Sequence, residues 1–188
     1  MHNSKENDLG AELQGIFIPG SVLPQRVFWD VFGRYLFFDA DISSSDALIS
    51  TLYEVAKACL GPTLKVEVFA SSNRIFLGRL DANSNWVAQI NGINKTLRTS
   101  GDCDGLILVD TSRKWVVYQR RPVDVGVFAF DCVEGLSGLE SAIDDCFFGC
   151  DDIAHWIVGR SQRDIDLVNN FGRNYLATLM KNYCDASC

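Results

Sequence analysis

Between Thr63 and Phe130 short apolar runs follow one another too closely to leave room for helices between them. Leu64, Val66 and Val68 alternate with Lys65 and Glu67, which puts successive side chains on opposite faces of a strand. Arg74–Leu80, Trp86–Ile90, Leu106–Val109, Trp115–Gln119 and Val123–Ala129 read as further strands. The turn-rich Asp81-Ala-Asn-Ser-Asn85 separates two of them, and Asp110-Thr-Ser-Arg113 is short enough for a hairpin. Parallel neighbours need connections of about a dozen residues or more, so an antiparallel meander of about five or six strands is expected.

Helical signals flank this region. Ser43 and Asp46 have capping-box spacing, and Leu48, Ile49, Leu52, Val55, Ala56 and Cys59 then share one face until Gly61-Pro62. Beyond the strands, Ser137 and Glu140 suggest a second capping box. Leu136, Leu139, Ile143, Cys146, Phe147 and Cys150 form its apolar face, with Gly149 a possible break before a short segment Asp151–Val158. Ser161 and Asp164 make a third box, followed by an apolar stripe through Ile165, Val168, Tyr175, Leu176, Leu179 and Tyr183. Before the first helix, residues 15–40 are apolar and aromatic but broken by Pro19, Gly20, Pro24 and Gly33. Short strands at Val27–Val31 and Tyr35–Phe38 fit best there. Residues 1–14 read as a loose tail and 15–188 as a single domain, in keeping with a chain of 188 residues. The expected fold class is α+β, one antiparallel sheet with helices covering a face.

Charge is distributed unevenly over this framework. From Pro122 to Gly159 there is no Lys or Arg, while Asp124, Asp131, Glu134, Glu140, Asp144, Asp145, Asp151 and Asp152 contribute −8 against a chain total of −7. Such a field attracts a cationic partner and repels nucleic acid and anionic membrane. The basic pairs Arg113-Lys114 and Arg120-Arg121 are too small to reverse that at a phosphate backbone. Apolar runs such as Ile107-Leu108-Val109 are too short to span a bilayer, and Met1–Gly10 carries no apolar signal core. A cytoplasmic address is therefore expected.

Stepped at about 100° per residue, Glu140, Asp144 and Asp151 fall on one flank of a helix and Asp145 and Asp152 on the other, with Phe148 between them. An aromatic ring with a carboxylate rim is a plausible anchor for a basic protein. The plainer reading is the solvated face of an amphipathic helix. Against it, like charges at i,i+4, as in Glu140 and Asp144, cost a few tenths of a kcal/mol with no basic residue to offset them. The candidate partner-binding residues are accordingly Glu140, Asp144, Asp145, Phe148, Asp151 and Asp152.

Catalytic and metal chemistry finds less support. Seven cysteines without an export signal read as reduced thiols. Cys146-x-x-x-Cys150 and Cys184-x-x-x-Cys188 have i,i+4 spacing, but the first pair lies on an apolar helix face where Cys behaves as a small hydrophobe. No metal or other cofactor is expected. Cys103 sits between Asp102 and Asp104, which disfavour its thiolate, and His2 and His155 assemble into no triad. The strand Tyr35–Phe38 followed by Asp39-Ala-Asp41 resembles the first motif of the haloacid-dehalogenase-like phosphatases. That resemblance implies Asp39 as nucleophile, Asp41 as acid/base, and magnesium held with help from Asp151 and Asp152. It also requires strands alternating with helices in a parallel sheet, which the strand spacing does not favour.

Asp110-Thr-Ser-Arg-Lys-Trp115-Val-Val-Tyr118, followed by Asp124-Val-Gly-Val-Phe128, resembles sequences of bacterial immunity proteins of contact-dependent growth inhibition systems. The resemblance covers about twenty residues and carries over no functional residue, since these families bind through different surfaces. It implies a non-catalytic protein that neutralises a cognate toxin, often a basic nuclease, by covering its active site. The remaining alternatives are the phosphatase using Asp39 and Asp41, and an interaction domain with no toxin partner.

Overall fold

The computed structural model describes Leu13 and residues 15–121, 125–131 and 136–184. Six strands, β1 (Arg34–Phe38), β2 (Lys65–Ala70), β3 (Phe76–Asp81), β4 (Leu106–Asp110), β5 (Trp115–Gln119) and β6 (Gly126–Phe130), form one sheet in the order β1-β6-β5-β4-β2-β3. Every neighbouring pair is antiparallel. The helices are α1 (Asp46–Leu60), α2 (Trp86–Thr99), α3 (Glu140–Cys146), α4 (Cys150–Val158), α5 (Gln162–Phe171) and α6 (Arg173–Leu179), with a π-helical turn at Met180–Cys184. The fold is α+β, as the strand spacing predicts.

Both faces of the sheet are covered. On one face Leu36, Phe38, Val68, Leu108, Val117 and Phe128 meet Leu52 and Val55 of α1, Ile90 of α2 and Ile143 of α3. On the other, Tyr35, Phe37, Ile107, Val116 and Val127 meet Phe17 and Phe28 from the chain before β1, Ile153 of α4, Leu176 of α6 and Tyr183. Every residue of β4, β5 and β6 is buried. That is why these strands are nearly continuous apolar runs, as expected when both sheet faces are packed.

Trp86–Ile90, expected as a strand, is instead the opening of α2. The Asn85 side chain caps it by accepting from the Ala88 N–H at 3.0 Å, and Trp86, Ile90 and Leu97 are its buried residues, at helical spacing. Because α2 links β3 to β4, those strands are not neighbours, and β2 lies between them. Val27–Val31 is not a strand either. Its neighbourhood makes a single bridge, Phe17 to Phe28.

The helix starts also differ in detail. Ser45, not Ser43, caps α1, and the Ser43 hydroxyl instead donates to Asp41 at 2.7 Å. At α3 the Ser137 box does not form, and the Glu140 carboxylate accepts from the Gly138 N–H at 2.6 Å. The Ser161–Asp164 box forms as expected. The stripe beyond it is broken at Gly172, whose φ of +87° separates α5 from α6.

Candidate functional site

The edge of the sheet at β1 is where the acidic region meets the core. α3 stops at Cys146, and the next two residues run extended. Phe147 packs against Phe38 and Phe128 on one face of the sheet, at ring separations of 5.9 and 5.7 Å. Phe148 packs on the other face, against Phe37, Trp156 and Phe171 at 5.8, 5.1 and 5.7 Å. This alternation is strand periodicity. Phe148 and Phe37 exchange two backbone hydrogen bonds of 2.8 Å each. Phe148 is therefore half-buried inside an aromatic cluster and is not the exposed anchor that a continuous helix would make it.

The chain begins a seventh strand and abandons it after one residue pair. Gly149 turns it into α4, and the Asp152 carboxylate accepts from the Gly149 N–H at 2.7 Å. Successive residues of an edge strand alternate in which way their backbone groups point. Phe37 points its groups outward to Phe148, so those of Tyr35 point outward too. Among the described residues no backbone partner meets Tyr35 on that side.

A cleft of about 490 Å³ lies along this open edge. Gly33 to Leu36 form one side, and Asp144 of α3 with Asp151 and Asp152 of α4 line it too. The Cys150–Cys184 disulfide, 5.8 Å between Cα atoms, ties the start of α4 to the π-helical turn in the same lining. Three of the expected acidic residues thus share one cleft. Glu140 and Asp145 are exposed on α3 outside its lining. Arg34 is the basic residue of the lining, and its guanidinium lies 5.8 Å from the Phe130 ring centroid. Among the described residues the ion pairs are Arg79–Glu67 and Arg121–Asp41, so none of the five carboxylates has a described cationic nitrogen within 4.0 Å. Of the remaining acids in the basic-free window, Asp131 accepts from the Gly33 N–H at 2.8 Å, while Asp124 and Glu134 lie outside the described residues.

The Asp39-x-Asp41 motif sits elsewhere. Asp39 is exposed just past β1, and Asp41 lines a separate small cleft with Arg98 and Arg121. Burial works to raise the Asp41 carboxyl, but hydrogen bonds from the Ser43 N–H and hydroxyl, with the Arg121 guanidinium, outweigh it and hold the group below the usual carboxylate range. Asp151 and Asp152 line the β1-edge cleft and not this one. The antiparallel sheet also departs from the parallel one that the phosphatase resemblance requires. Among the described residues no three His, Cys, Asp or Glu side chains are placed to share a metal ion.

The expectation of reduced thiols fails at Cys150 and Cys184, which are bonded to each other and join the first residue of α4 to the last of the π-helical turn. The i,i+4 spacing within 146–150 and 184–188 concealed a pairing between the two motifs. Cys103 and Cys146 are free thiols, with Cys146 3.4 Å from the Thr51 hydroxyl, and Cys132 and Cys188 lie outside the described residues. The open edge was the feature hardest to anticipate. Its sequence signal is Phe147-Phe148-Gly149, an aromatic pair followed by a glycine, which marks a strand residue pair and not the end of a helix. Among the described residues no helix is long and apolar enough to cross a membrane. Comparison of the chain with protein-family models, curated proteins and solved structures finds no match.

Proposed function

We propose that this protein is a non-catalytic binder that captures a basic protein through the acidic cleft at the β1 edge, and that its role is that of an immunity protein neutralising a cognate toxin. The observation that carries this reading is the convergence of Asp144, Asp151 and Asp152 on one cleft with no cationic partner among the described residues within 4.0 Å. One-signed carboxylates on a concave surface focus the field outward and speed encounter with a positive surface. The exposed Glu140 and Asp145 extend that field along α3. Phe148 contributes by holding the edge in shape. Burial at the interface would then come from the cleft floor, and the Tyr35 backbone, which no described residue meets on its outward side, offers hydrogen bonds to an extended segment of the partner.

A basic nuclease fits this surface best, because carboxylates can take the place of substrate phosphates at its active site. The cytoplasmic address belongs to the same proposal, and the Cys150–Cys184 bond is the feature that argues against it, since disulfides are rare in reducing compartments. A count of free thiols on protein taken from the cytosol under alkylating conditions tests the address.

The decisive test identifies the basic protein that co-purifies with this chain at low salt and assays it as the candidate toxin. Wild-type protein should inhibit it, with an association rate that falls steeply with added salt. Asp144→Lys combined with Asp151→Lys should slow association about tenfold or more and flatten the salt dependence. Unchanged kinetics in that variant would remove the cleft from the account.

A further inference from the structure

A second cleft, of about 230 Å³, carries the opposite charge. It lies between the segment Phe17–Ser21, the turn after β2 at Ser71, Ser72 and Arg74, and the end of β5 at Tyr118 and Arg120. Among the described residues no carboxylate lines it. Arg74 and Arg120 are both half-buried, and among the described residues neither has an Asp or Glu oxygen within 4.0 Å. Both guanidinia act on the same phenol. Burial pushes Tyr118 up from its usual range, and Arg120, by charge and hydrogen bond, and Arg74 pull against it. The Tyr118 hydroxyl donates to the Ser21 carbonyl at a long 3.4 Å.

Two arginines facing one cleft repel each other, and partial burial without a counter-charge adds to the cost. The chain has acids in excess, yet among the described residues none lines this cleft, and the nearby Asp102 carboxylate is engaged by the Ser72 hydroxyl at 2.6 Å. Arg74 carries a second cost. Its φ is +60°, in the left-handed region that a residue with a Cβ seldom adopts. The turn is held there by its N–H, which donates to the Ala70 carbonyl at 2.9 Å, while the Phe17 ring supports the guanidinium at 5.8 Å. An unfavourable backbone that presents a cation with no carboxylate among the described residues within 4.0 Å points to a ligand that supplies the missing charge.

We propose that this cleft binds a phosphate group, held by Arg74 and Arg120 with the Tyr118 hydroxyl. A guanidinium presents donors in a planar fork that matches phosphate oxygens, and two of them match a charge near −2. A carboxylate offers one charge and two oxygens, and so satisfies the pair less well. The serine hydroxyls are already engaged, Ser71 with the Asp104 carbonyl and Ser72 with the Asp102 carboxylate, each at 2.6 Å. The volume is below the roughly 300–1,000 Å³ of sites for drug-sized ligands, which suits inorganic phosphate or the phosphoryl end of a small monoester. The site shares no lining residue with the acidic cleft.

Amide NMR of the full chain, titrated with inorganic phosphate, with phenyl phosphate and with acetate at constant ionic strength, tests this. Phosphate should give saturable shifts at Gly20, Ser72, Arg74 and Tyr118, and acetate weaker ones at the same amides. Tighter binding of phenyl phosphate would assign a monoester, and equal or weaker binding would assign the free ion. Arg120→Gln should weaken binding about tenfold or more. Arg74→Gly should do the same while leaving the melting temperature no lower, because glycine accepts the left-handed backbone. Shifts that rise linearly without saturating, that survive both substitutions, or that acetate reproduces at equal concentration would overturn the proposal.

Discussion

The ring of Phe38 occupies the space that a side chain on Gly126 would need. The two residues are paired across β1 and β6, and a Cβ on Gly126 would fall 2.2 Å from Phe38 Cζ and 2.4 Å from Cε2. Phe38 cannot swing aside easily, since it is fully buried and packed edge-on against Phe147 at 5.9 Å. Gly126→Ala should therefore destabilise the protein by about 3 kcal/mol in urea unfolding, through overpacking. Gly92→Ala is the control. It lies within α2 with nothing within 4 Å of the added atom, and should stabilise by about 0.5–1 kcal/mol. Similar losses in the two variants would contradict the close approach at Phe38.

Acid sensitivity should trace in part to Asp41. Its carboxyl is held below the ordinary range despite burial, by Ser43 and Arg121. A depressed folded pKa contributes stability that is present above the unfolded value of about 3.9 and is lost as pH falls through the folded value. Wild-type protein should accordingly lose stability below about pH 4, and Asp41→Asn should be less stable at neutral pH with a shallower acid limb. Parallel stability–pH curves for the two proteins would show that Asp41 does not contribute.

The sheet was legible because β-branched and aromatic runs such as Ile107-Leu108-Val109 and Trp115-Val-Val-Tyr118 are strand formers whatever covers them. α2 was not, because Trp86-Val-Ala-Gln-Ile90 has strand-like composition and its helical character depends on the Asn85 cap and on the later Leu97. The acidic segment was half legible. Helical spacing correctly placed Ile143 inward and left Asp144, Asp145, Asp151 and Asp152 exposed. It misplaced Phe148 because a wheel assumes an unbroken helix, and the edge of β1 draws two residues out of it. The Cys150–Cys184 pairing joins residues separated by 34 positions, and no local spacing reports a contact of that kind.

That disulfide should contribute to stability by restricting the unfolded chain. For a separation of 34 residues, loop-closure entropy amounts to about 3–4 kcal/mol. Tyr183, next to Cys184, is anchored independently, accepting from the Val27 N–H at 3.0 Å and donating to the Gln25 carbonyl at 2.8 Å. The native fold should therefore survive loss of the crosslink. Cys150→Ser with Cys184→Ser should lower unfolding free energy by about 3 kcal/mol, and dithiothreitol should lower the wild type to the same level without affecting the variant. A wild type indifferent to reductant would mean that the crosslink contributes nothing.

Phe148 and the cleft carboxylates should separate stability from recognition. Phe148→Ala removes a ring packed against Phe37, Trp156 and Phe171, and should cost about 2–3 kcal/mol, at the low end for an aromatic because the residue is only half-buried. Its backbone bonds to Phe37 remain available, so the acidic cleft should keep its charge and the salt slope of partner association should not change. Asp144→Lys and Asp151→Lys alter exposed side chains, and should move stability by no more than about 0.5 kcal/mol while slowing association. Urea unfolding and stopped-flow association, run on the same variants, distinguish the two effects. If Phe148→Ala flattened the salt dependence as the lysine variants do, the ring would belong to the contact surface and the inward packing would not describe its role.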